Sequence, residues 1–94
     1  MKRYQMLIGG EWVDAEGEET FETDNPFLGA PWALAPRAAP ADVDRAVAAA
    51  RKAFRAPTWS GISATARGEL LRRLADLIAV EADRLAEIET RDNG

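Results

Sequence analysis

Pro40-Ala41-Asp42-Val43-Asp44-Arg45-Ala46-Val47-Ala48-Ala49-Ala50-Arg51-Lys52-Ala53-Phe54-Arg55 is the run from which the rest of the chain can be read. Pro40 suits the first helical turn, where a missing N–H breaks no helical bond. Asp42 and Asp44 lie near the positive end of the helix dipole, and Arg51, Lys52 and Arg55 near its negative end. Val43, Val47, Ala50 and Phe54 fall at i, i+4, i+7 and i+11, one stripe along one face. The run is an amphipathic helix, expected over about residues 40–56 and stopped by Pro57. Downstream the helical pattern continues. Ser63 suits an N-cap, and Leu70, Leu71, Leu74, Leu77 and Ile78 make a wide apolar face on a second helix over about 63–80. Gly68 near its start costs about 1 kcal/mol relative to alanine. Asp83 is the expected cap of a third helix over about 83–92 that carries Leu85 and Ile88, with Asn93-Gly94 as its stop.

Upstream the pattern is different. Residues 1–39 hold Gly9, Gly10, Gly17, Gly29, Pro26, Pro31 and Pro36, with Trp, Phe, Val and Ile between them. Met6-Leu7-Ile8 is β-prone and ends at the turn dipeptide Gly9-Gly10, and Glu11-Trp12-Val13-Asp14 follows. Thr20-Phe21-Glu22-Thr23 alternates polar and apolar residues, as a half-buried strand does. Asn25-Pro26 and Gly29 turn the chain, and Trp32-Ala33-Leu34 is a further strand before Pro36. Strands are expected over about 5–8, 11–14, 20–24 and 31–35. The fold class is α+β: short antiparallel strands in residues 1–39, then three helices in 40–94.

The chain has 94 residues, 47% of them apolar, but many of these are alanine, which adds little area to a core. Cysteine and histidine are absent. That excludes a thiol nucleophile, a disulfide framework, a Cys/His zinc site and an imidazole base in this chain. The net charge of −4 does not gather phosphate backbones, so no nucleic-acid partner is expected. No run is apolar over the roughly 18 residues that a membrane span needs, so no membrane partner is expected either. Met1-Lys2-Arg3 is basic, but the apolar stretch after it stops at Gly9, too short for a signal-peptide core, and a cytoplasmic location is expected.

The order of these segments resembles the aldehyde dehydrogenase superfamily. Ile8-Gly9-Gly10-Glu11-Trp12-Val13 is similar to that family's opening "(I)NGEWV" hairpin, and Thr23-Asp24-Asn25-Pro26 with Gly29 to its "NPxTGE" segment. Asp42 through Phe54 resembles its "DVDxAVxAARxAF" helix, with Trp59 where a Trp often follows. Arg67 through Ile78 resembles "RxxLLxxLADLI", and Leu85 through Gly94 resembles "LAxxETxDNGK". Each block alone is weak; six in family order with family-like spacing are specific. Phe27-Leu28-Gly29-Ala30-Pro31 and the compressed Ala56-Pro57-Thr58 depart from the pattern, which leaves the substrate unassigned.

The resemblance covers nearly the whole chain but only the N-terminal fifth of a typical member. It implies a single partial domain over 1–94, part of the family's α/β cofactor domain. The full-length parent would be an NAD(P)-dependent oxidoreductase that converts an aldehyde to a carboxylic acid. The catalytic cysteine, the glutamate base and the glycine motif for NAD or NADP belong to later parts of the family's chain. Residues 1–94 are therefore expected to hold no catalytic and no cofactor-binding residue and to bind no cofactor, NAD or NADP belonging to a full-length parent. Thr23, Asp24 and Asp92 resemble positions that hold a structural cation in some members; the plain alternative is that Asp24 caps a turn and Asp92 ends a helix. Arg67 is expected either to anchor its helix to the rest of the domain or to lie on the surface. Trp12, Trp32 and Trp59 are read as packing residues rather than a stacking platform, since no basic residues surround them. Glu16-Gly17-Glu18-Glu19 reads as a solvated loop.

The expected partner is the remainder of an aldehyde dehydrogenase chain, or a second copy through an exposed helix face. The alternatives are a free-standing interaction or scaffold module and a helical binding domain of accidental likeness. If the 63–80 helix packs centrally, Leu74→Ala costs about 2–5 kcal/mol.

Overall fold

A computed structural model describes residues 1–94 as five strands and four helices: β1 (Lys2–Arg3), β2 (Met6–Ile8), β3 (Glu11–Val13), β4 (Thr20–Asn25), β5 (Ala30–Pro36), α1 (Pro40–Arg55), α2 (Pro57–Ser60), α3 (Ala64–Val80) and α4 (Ala82–Asn93). The α+β class and the four expected strands are present. β2 and β3 form an antiparallel hairpin in which Ile8 faces Glu11. Its two-residue turn is Gly9-Gly10, with φ of +61° and +82°. Positive φ at both central residues is the turn whose twist matches the flanking strands, and glycine reaches it without steric cost.

The second sheet has the order β1-β5-β4. β4 and β5 pair antiparallel from Thr20 with Pro36 to Asn25 with Ala30, with a register shift between Thr23 and Asp24. β1 corrects the expectation of antiparallel pairing throughout. It pairs parallel to β5, only at Ala33 and Leu34. Pro31 and Pro36 bracket those two residues, and proline cannot donate to a ladder, so this pairing is short. Two charged residues carry no strand pattern of their own; β5 imposes it.

The helical half also differs from expectation at two points, an added turn α2 and the cap of α4. Pro57 ends α1 but begins α2, a single turn, because proline is tolerated at a first helical position. Ala56 between them is extended (ψ 136°), as a residue before proline tends to be. Ser63 caps α3, its Oγ accepting from Ala66 N at 3.1 Å. α4 starts one residue earlier than expected, with Glu81 at the N-cap position and Asp83 inside the first turn. Asp83 therefore favours the helix through the dipole rather than as its cap.

The molecule is a thin plate, 48 × 33 × 15 Å. Its radius of gyration is 16.7 Å, where a compact domain of this length has about 12–13 Å. It exposes 7414 Å², against about 5,400 Å² for a folded protein of this mass. Only Ala15, Ala33 and Asp42 are buried. Domains ordinarily bury one layer of structure against another, and 15 Å leaves little room for a second. The apolar stripe of α1 and the face of α3 lie open, and Leu74 is 53% exposed. The condition for a large Leu74→Ala cost is thus not met within one chain.

Candidate functional site

The structure joins two of the three residues singled out for a cation. Along β4, Thr23 is half-buried and Asp24 exposed. α4 lies against β4 and brings Asp92 to Thr23, whose Oγ1 donates to Asp92 Oδ1 at 2.7 Å. Asp24 makes no side-chain hydrogen bond or ion pair. The neighbouring turn is capped by Asn25, not by Asp24: Asn25 Oδ1 accepts from Phe27 N at 3.0 Å and Leu28 N at 3.4 Å. The end of α4 closes against this turn. A Cβ at Gly94 would sit 3.2 Å from the Pro26 side chain, and Gly94 has φ +76°. The site thus offers a hydroxyl and a carboxylate already bound to each other. No group of three acidic side chains converges anywhere in the chain. Hard cations take several oxygens, and these two supply part of such a set.

The remaining sequence candidates are plainly placed. Arg67 Nη1 donates to Ile62 O at 2.7 Å, so Arg67 fastens the start of α3 to its own preceding turn. Trp32 packs edge-on against Tyr4, with ring centroids 6.0 Å apart, and its indole N–H is buried without an acceptor. Trp59 is half-buried, but Trp12 is 68% exposed, because nothing covers that face of the hairpin. Glu16 to Glu19 form an exposed loop, with Glu18 at φ +55°.

The sequence reading placed Asp42 only near the positive end of the helix dipole; its buried role escaped that reading. Asp42 is the only buried polar side chain, 1% exposed. Its Oδ2 accepts from Ala39 N at 2.8 Å and from Glu16 N at 3.0 Å, and Arg45 pairs with Oδ1. These contacts tie the loop after β3 to the first turn of α1. The Glu16 and Ala39 N–H groups hold the carboxyl below its ordinary value; burial opposes them, and Arg45 adds to them. The available signal was an acid at the third helical position, which reaches back to the cap N–H. The contact with Glu16 had no local signal.

The profile of the aldehyde dehydrogenase family matches residues 12–94. The cytosolic 10-formyltetrahydrofolate dehydrogenase of Pongo abelii is 50% identical over 91 residues, which are 97% of this chain and 10% of that protein. The (Z)-2-((N-methylformamido)methylene)-5-hydroxybutyrolactone dehydrogenase of Acinetobacter baylyi is 45% identical over 94 residues, all of this chain and 19% of that one. Among solved structures, the aldehyde dehydrogenase of Bacillus cereus in complex with NAD+ superposes with a TM-score of 0.92 at 41% identity, over 99% of this chain and 19% of that one. The NAD-dependent aldehyde dehydrogenase of Sinorhizobium meliloti gives 0.88 at 42%, over 97% of this chain and 18% of that one. The chain spans a tenth to a fifth of the length of the relatives it matches.

Proposed function

The chain belongs to the aldehyde dehydrogenase family, and from that premise we propose that it is the N-terminal structural segment of an NAD(P)-dependent enzyme that oxidises an aldehyde to a carboxylic acid. In this reading residues 1–94 are part of the cofactor domain and buttress it. The partner is the remainder of the dehydrogenase chain, and the location is cytoplasmic, as the cytosolic names of several relatives support. The observation that carries the reading is the single-layer plate. It exposes about 2,000 Å² more than a closed protein of its mass, with apolar helix faces open.

The residues present do not fit a dinucleotide. Its pyrophosphate needs free amides at a helix N-terminus after a parallel strand and a glycine turn. In α1 the Asp42 carboxylate already accepts from the cap N–H. The parallel pair β1–β5 is connected through strands, not through a crossover helix. The nicotinamide and the catalytic thiol thus belong to the parts of the enzyme that this segment supports.

The assay is complementation. Chain alone, with an aldehyde and NAD+ or NADP+, should give no rise in nicotinamide absorbance. Added to the separately expressed remainder of the Bacillus cereus enzyme, it should restore one. Failure to associate with that remainder, together with a sharp, concentration-independent melt, would favour the free-standing scaffold module. Within the same reading, Thr23 and Asp92 supply part of the oxygen set of a structural cation, and exposed Asp24 supplies more only if it turns inward. Sodium or potassium should then raise the melting temperature of the reassembled enzyme slightly, and Asp92→Ala should abolish that rise. An equal rise in the variant removes the cation role.

A further inference from the structure

Asn93 and Gly94 close α4 as an asparagine followed by the one residue with no side chain. Asparagine is thermolabile because the main-chain nitrogen after it can attack its side-chain amide, and glycine leaves that nitrogen unshielded. Asn93 is exposed, and its side chain makes no hydrogen bond in the fold. The chain's other asparagine supplies the contrast. Asn25 is followed by Pro26, which has no N–H to give up, and its Oδ1 is held by Phe27 N and Leu28 N.

Docked α4 keeps the reacting atoms apart. The Gly94 N–H donates to Thr90 O at 2.8 Å, the last bond of the helix. A helical residue tilts its Cβ toward the helix N-terminus, so the Asn93 side chain leans away from the nitrogen that follows it. Gly94 is seated at φ +76° against the turn after β4, where an added Cβ would lie 3.2 Å from Phe27 N and from the Pro26 side chain. What holds α4 there is slight. No residue of α4 is buried, and its one side-chain bond to the strands, Thr23 to Asp92, is exposed. Segments with so little buried contact open locally, well short of global unfolding.

We propose that Asn93–Gly94 is a site of spontaneous deamidation, gated by the undocking of α4 from β4 and holding α4 open once it has reacted. Opening breaks the bond from Gly94 to Thr90 and lets Asn93 leave helical backbone angles. The Gly94 nitrogen gives up its proton and forms a bond to Asn93 Cγ. The Cγ–Nδ2 bond breaks, and the side-chain nitrogen leaves as ammonia, carrying that proton. Water then opens the five-membered imide. Entry at the side-chain carbonyl leaves aspartate; entry at the main-chain carbonyl leaves isoaspartate, with the backbone rerouted through Cγ. Either product adds a negative charge beside Asp92 at the negative end of the α4 dipole, which disfavours the helix end. Isoaspartate also lengthens the main chain by one atom, so Gly94 no longer meets Pro26 and Phe27 in register. The inference concerns the covalent chemistry of the chain and stands apart from its role in a dehydrogenase.

Warm incubation of the full chain, in buffer and in guanidinium chloride, tests it by peptide mass spectrometry. Asn93 should gain the mass that replacing NH by O brings, Asn25 should not, and an isoaspartyl methyltransferase should label the product. Asn93→Gln should lose the gain. The chain unfolded in guanidinium chloride sets the ungated rate, and the folded chain should react about tenfold or more below it. Thr23→Val removes the bond to Asp92 and leaves residues 92–94 as they are. It should speed the reaction in buffer about two- to fivefold, the change in opening that losing one such bond brings, and leave the rate in guanidinium chloride unchanged. Asn93→Asp, the product made in advance, should exchange its α4 amide hydrogens faster than the parent. Circular dichroism shows whether Thr23→Val keeps its helices; should it lose them, the ratio of folded to unfolded rates in the parent and the exchange of Asn93→Asp decide. No mass gain at Asn93, equal rates in buffer and guanidinium chloride, a folded Thr23→Val as slow as the parent, or α4 exchange unmoved by Asn93→Asp overturns the proposal. None of these outcomes bears on the complementation assay, so the two readings fail separately.

Discussion

Asp42 is the buried one of the two side-chain links that fasten the strand half of the chain to its helical half, the other being Thr23 with Asp92. Removing its carboxylate orphans the Glu16 and Ala39 N–H groups and the Arg45 guanidinium together. Asp42→Ala should therefore lower the denaturation midpoint more than alanine at any exposed acid, and Asp42→Asn should lose less because one acceptor oxygen remains. The pH dependence has a definite sign. The folded carboxyl titrates below its ordinary value of 3.8, so its contribution is complete above that value and is lost as pH falls through the lowered one. The difference between parent and Asp42→Ala should shrink in strong acid. An equal difference at neutral and strongly acid pH would mean that the ionised form is not what holds the loop. The acid at the helix start was legible in the sequence as a dipole effect. Its reach across 26 residues to Glu16 was not, because only the folded path brings that loop to α1.

Among the elements, the β2–β3 hairpin and α1, α3 and α4 were legible because each carries its own pattern: a Gly-Gly turn between β-prone runs, or an apolar repeat at helical spacing. β1 and α2 were not. β1 is two charged residues made a strand by β5, and α2 is one turn begun by the same Pro57 that ends α1. Two glycine substitutions separate turn from helix. Gly10→Ala meets no atom within 4 Å, so its cost is purely that of φ +82°, about 1–2 kcal/mol. Gly68→Ala also meets nothing, lies at helical φ, and should stabilise by up to about 1 kcal/mol. Denaturant titrations of the two variants should move in opposite directions. The cation residues were half legible: Thr23 and Asp92 meet, but the register shift beside Thr23 and the outward Asp24 depend on pairing with β5.

For the whole molecule, the missing second layer governs stability. In dilute solution the chain should melt broadly and below the range of about 45–65 °C usual for mesophilic domains. The midpoint should climb with concentration, since association stabilises by mass action. Leu74→Ala should cost under about 1 kcal/mol in dilute solution, where the side chain is half in water. A concentration-independent midpoint would mean that the chain closes its own core. The bond from Thr23 to Asp92 also sets an order of events. It spans 69 residues, and closing a loop that long costs about 4 kcal/mol, several times what one exposed hydrogen bond returns. α4 should therefore dock on β4 only after the intervening elements have shortened that path, and hydrogen exchange should find its amides among the first of the helical ones to open. On the ribosome, at about 5–20 residues per second, Asp92 follows Thr23 by roughly 3–14 seconds. Once β5 has been made, and until Asp92 follows, β4 is an outer strand of its sheet with no helix beside it, open to another nascent chain.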